Sequence, residues 1–136
     1  METKFNSQIC TTREQSEKLL AFGIKKETAD MYYSYDIICA KPYYKVEEFM
    51  NGCVPEDIFP AWSLHRLIEM MPVDVIPEGG FDNCFTLIKN YPKGYSVEYD
   101  GFSYYHNENI YDTLIDGIEH LIKEGYFNKA YMEEKL

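Results

Sequence analysis

Within this 136-residue chain the dipeptide Asp100-Gly101 restricts the possible folds most. Asp tolerates positive φ and Gly adopts it freely, so Asp-Gly between apolar runs favours a two-residue hairpin turn. The flanks are Tyr95-Ser96-Val97-Glu98-Tyr99 and Phe102-Ser103-Tyr104-Tyr105-His106. Such a turn pairs Tyr99 with Phe102, Val97 with Tyr104 and Tyr95 with His106 on one face. Ser96, Glu98, Ser103 and Tyr105 share the other. One face is then aromatic and the other mostly polar, and a sheet with one wet face takes helices on its dry side only. The expectation is an α+β fold: an antiparallel sheet of three or four strands, helices packed on one face, two layers. Cys84-Phe85-Thr86-Leu87-Ile88-Lys89 supplies a third strand, joined through a turn at Asn90–Gly94.

Three segments have helical spacing. In Ser63–Met71, Leu64, Leu67, Ile68 and Met71 share one face. Ser63 can cap this helix, or Pro60 can open it, and Pro72 stops it. A helix this short is held only by packing, so it is read as the central core helix, with Trp62 buried at its start. In the segment near 12–22, Thr11 has Glu14 three residues on and Thr12 has Gln15, so either can form a capping box. Gly23 suits a left-handed cap. Thr28-Ala29-Asp30-Met31 reads as a single helical turn. In 109–124, capped by Asn107 or Asn109, residues Tyr111, Leu114, Ile115, Ile118, Leu121 and Ile122 form the apolar stripe. Gly117 costs about 1 kcal/mol there against Ala; close approach to the sheet would explain it. Gly125 ends the helix. Residues 34–58 are the least regular. Tyr35–Ala40 and Tyr43–Val46 could be short strands around Pro42, and the rest reads as loop, as does Val73–Gly80.

The length and the 46 % hydrophobic content suit one domain over 1–136 with its own core. The net charge of −10 repels phosphate backbones, so nucleic-acid binding is not expected. Cys10, Cys39, Cys53 and Cys84 form no Cys-x-x-Cys and no zinc-finger spacing. Met1–Asn6 has no apolar run of the signal-peptide kind, and no stretch reaches the roughly 20 apolar residues of a membrane span. The reading is a soluble cytoplasmic protein with reduced thiols and no membrane contact.

Cys10-Thr11-Thr12 with Gln15-Ser16, Leu19-Leu20, Gly23 and Thr28-Ala29-Asp30-Met31 resembles the start of a group of small uncharacterised bacterial proteins. These occur in gut anaerobes, often in prophages and other mobile elements. Pro60-Ala61-Trp62-Ser63-Leu64 through Leu67-Ile68-Glu69-Met70-Met71-Pro72 is similar to their second shared block. The resemblance implies provenance and a shared fold, and carries no functional residue.

Chemistry-bearing patterns are sparse. His65 with Glu69, and His120 with Glu124, are spaced to share a helical face and could share a metal; such pairs also arise on any wet helical face. His106 with Cys84 or Ser103 is the one hint of a base and nucleophile. Glu78-Gly79-Gly80-Phe81-Asp82 lacks the Lys of a phosphate loop. Asp112 and Asp116 suit the dipole at a helix start better than acid–base work. The reading is therefore no catalytic residue, no metal and no cofactor. It favours an interaction domain acting on a protein partner. The alternatives are a small enzyme with an unrecognised site and an acidic protein that imitates DNA. Oligomeric state is not indicated. Among the 13 tyrosines, Tyr32, Tyr33, Tyr35, Tyr43 and Tyr44 fall where periodicity is weakest, so residues 32–49 are the candidate contact surface. Tyr35, Tyr43 and Tyr44 are its best binding candidates. That these rings simply cover the core stays equally open.

Overall fold

The chain is described by a computed structural model covering residues 7–34, 37–40, 58–75, 83–89, 93–99 and 102–134; at 37, 39–40, 74–75, 83–84 and 102–106 only the backbone is described. The order is helix α1 (Arg13–Ala21), a 3₁₀ turn (Lys26–Thr28), strands β1 (Met31–Ser34), β2 (Ile37–Ala40) and β3 (Ile58–Ala61), helix α2 (Leu64–Met70), strands β4 (Asp74–Val75), β5 (Asn83–Lys89), β6 (Tyr95–Tyr99) and β7 (Phe102–Asn107), helix α3 (Ile110–Glu124) and a 3₁₀ turn (Lys129–Tyr131). This is an α+β fold. Its described strands form two antiparallel sheets, ordered β2-β1-β3 and β4-β5-β6-β7, where the sequence pattern suggested one.

The sheet β2-β1-β3 is the main departure from expectation. Met31 starts β1 instead of closing a helical turn, and Pro60 lies in β3 instead of opening a helix. Among the described strands β3 pairs with β1 only, so Pro60, which has no N–H to donate, occupies an edge of that sheet. Ser63 is the cap of α2, its Oγ accepting from the Arg66 N–H at 3.1 Å, and the helix ends before Pro72. In α1, Thr12 and Gln15 form the reciprocal capping box. Gly23 follows α1 at φ +96° and Gly125 caps α3 at φ +82°, both left-handed.

Near the Asp-Gly dipeptide the hairpin register is as expected: Tyr99 pairs with Phe102 and Glu98 with Ser103. Beyond that it shifts. Ser96 pairs with His106 and Tyr95 with Asn107, so β7 carries one extra residue opposite Val97. A bulge of this kind bends and twists its strand, and α3 packs across β6 and β7. Val97 and Tyr99 are fully buried, as the alternation requires. Ser96, expected on the wet face, is buried too, so that face is not uniformly solvated.

Leu114, Ile115, Ile118 and Leu121 of α3, Leu67, Met70 and Met71 around α2, and Leu19 and Trp62 form one core. Trp62, at 0 % exposure, joins three segments. Its backbone exchanges two hydrogen bonds with Thr11: the Thr11 N–H donates to the Trp62 carbonyl (2.8 Å), and the Trp62 N–H donates to Thr11 Oγ1 (3.0 Å). Its indole N–H donates to Thr28 Oγ1 (2.9 Å), and the Thr28 hydroxyl donates to the Lys25 carbonyl (2.7 Å). Next to it, Asp30 accepts from both the N–H and the hydroxyl of Ser63, while Arg66 Nε donates to the Thr28 carbonyl (2.7 Å). A buried polar group without a partner is costly, so this lattice fixes where residues 10–12 and 25–30 lie.

Candidate functional site

The pinned segments place Arg13 over the sheet β2-β1-β3. The registers Tyr33↔Ile38 and Tyr33↔Phe59 put Ile38, Tyr33 and Phe59 in one cross-strand row, and directly opposed residues share a face. Ile38 is 39 % exposed, and Tyr33 and Phe59 are half-buried. Arg13, exposed on the first turn of α1, holds its guanidinium carbon 5.4 Å from the centroid of each of the Tyr33 and Phe59 rings. At that range the ring quadrupoles attract the cation. Thr12, Arg13, Glu14 and Tyr33 line a shallow cleft of about 370 Å³ beside this stack.

Beneath the stack, the Tyr33 hydroxyl donates to the Thr11 carbonyl (2.7 Å) and receives a weak bond from the Cys10 thiol (3.6 Å). Burial, with smaller contributions from Cys10, pushes the Tyr33 phenol up to about 12. Burial likewise raises the Cys10 thiol, outweighing the Tyr33 bond, which lowers it. Both groups therefore stay protonated near neutrality. A protonated, buried thiol is a poor nucleophile, and the bonds of Cys10 and Thr11 to the Tyr33 hydroxyl anchor the ring.

Across α1, Gln15 Nε2 donates to Asp112 Oδ1 (2.7 Å) and to the α3 cap Asn109 (3.3 Å), tying the starts of α1 and α3 together. Asp112 lies in the first turn of α3, where the dipole favours it. Burial raises the Asp116 carboxyl; Lys18 lowers it, and Asp112 and Glu119 raise it further.

Of the sequence candidates, Tyr35, Tyr43 and Tyr44 lie outside the described residues. Of the other two tyrosines, Tyr32 is buried, at 8 % exposure, so it belongs to the core and not to a surface. Tyr33 contributes one ring face. His65 bonds Glu69 at 3.3 Å on an exposed helical face. Among the described residues, no three His, Cys, Asp or Glu side chains gather where they could hold one ion. The side chains of Cys84, Ser103 and His106 lie outside the described part. Among the described residues, no helix is long and apolar enough to cross a membrane. Arg13 is the residue that sequence reasoning passed over. Its signal is a cation in the first turn of a helix, where the dipole favours acids. Compared with known proteins, the chain matches no family model, no curated protein and no solved structure.

Proposed function

We propose that this chain is a cofactor-free cytoplasmic interaction domain that binds a protein partner through the face made by Arg13, Tyr33, Ile38 and Phe59. The observation that supports this most is the placement of Arg13. The dipole at the first turn of α1 costs a cation about 0.3–1 kcal/mol, and stacking at an exposed ring contributes about 0.5–1 kcal/mol. Arg13 therefore sits against the local dipole preference while it is held over two aromatic rings. Departures from local rules of this kind concentrate at functional sites. Arg and Tyr are also enriched among the residues that dominate contact energies, and Tyr buries area at low entropic cost while keeping a hydroxyl to pair. Stacking on two rings holds the guanidinium ready, which reduces the ordering cost on binding.

Tyr35, Tyr43 and Tyr44 stay proposed partner contacts on the composition of their stretch alone, and a mobile-element origin would make a host protein the partner. The two-layer arrangement proposed for the strands β5–β7 is supported by α3 lying across β6 and β7. The test compares immobilised wild-type protein with the Phe59→Ser variant in a lysate. The variant is expected to keep a cooperative melt and lose the polypeptides that the wild type retains. Equal retention by a folded Phe59→Ser variant would refute the assignment of the face.

A further inference from the structure

We draw no further inference here: the strongest candidate, the cavity of about 570 Å³ beside the C-terminal end of α3 that Ile122, Phe127 and Met132 line together with Lys129, Glu133 and Glu134, carries nothing, because nothing in the structure shows what covers it.

Discussion

The side-chain oxygen of Thr28 accepts from the Trp62 indole and passes a hydrogen bond to the Lys25 carbonyl. Thr28→Val keeps the shape and removes both bonds, leaving a fully buried indole N–H without its acceptor. The expected cost is about 1–3 kcal/mol in urea unfolding, since an orphaned buried donor loses its full desolvation energy. A change within error would mean the indole finds another acceptor and Thr28 does not hold the 25–30 turn. Tyr33 makes a different prediction. Its phenol titrates at about 12 in the fold against about 10 when unfolded. The unfolded chain therefore loses this proton first. Stability from this group is complete below about pH 10 and is lost as pH rises through about 12. Melting temperature should fall across that window in the wild type and fall less in Tyr33→Phe. Equal alkaline slopes in the two proteins would contradict the buried, donor-bound hydroxyl. Neither role was legible in the sequence, where Thr28 read as part of a single helical turn and Tyr33 as one of five candidate surface tyrosines.

Helix α3 was legible almost to the residue, because a wide apolar stripe, an Asn cap and a Gly terminator all agree along it. Gly117 was the one discordant residue, and the structure only partly supports close approach as its explanation. A methyl at Gly117 would meet Val97 Cγ1 at 3.6 Å and Met71 Cε at 3.5 Å, which is ordinary contact. Gly117→Ala should therefore stabilise the protein by about 0.5–1 kcal/mol, read as a higher melting temperature, through the helix propensity gained. A less stable variant would show that α3 needs the closer seat on β6. The short strands were harder to read. Four residues give only two alternations, too few to separate strand from loop. In β3 Pro60 read as a possible helix opener, and the edge position makes it acceptable in a strand. The bulge in β7 was equally invisible: Tyr104-Tyr105 reads as ordinary alternation, and the shift exists only where β7 meets its neighbour.

For the molecule as a unit, the pattern conveyed the class and missed the arrangement. An aromatic-in, polar-out hairpin and amphipathic helices specify α+β. They do not say that Met31–Ser34 joins strands from both sides into a second sheet, because pairing over long separations leaves no local mark. The Arg13 face was missed for the same reason. Arg13, Tyr33 and Phe59 come from three separate elements: the β1–β3 pairing sets Tyr33 beside Phe59, and the Thr11–Trp62 bonds bring the start of α1 to them. The measurement to make is the melting temperature and the partner retention of Arg13→Glu, taken together. Glu at the first turn of α1 gains the dipole interaction that Arg lacks and gives up the ring stacking, two contributions of similar size. If Arg13 serves contact, the variant melts within a few degrees of the wild type, or above it, and no longer retains the wild type's partners. A melt lowered by ten degrees or more, or undiminished retention by a folded variant, would contradict the account.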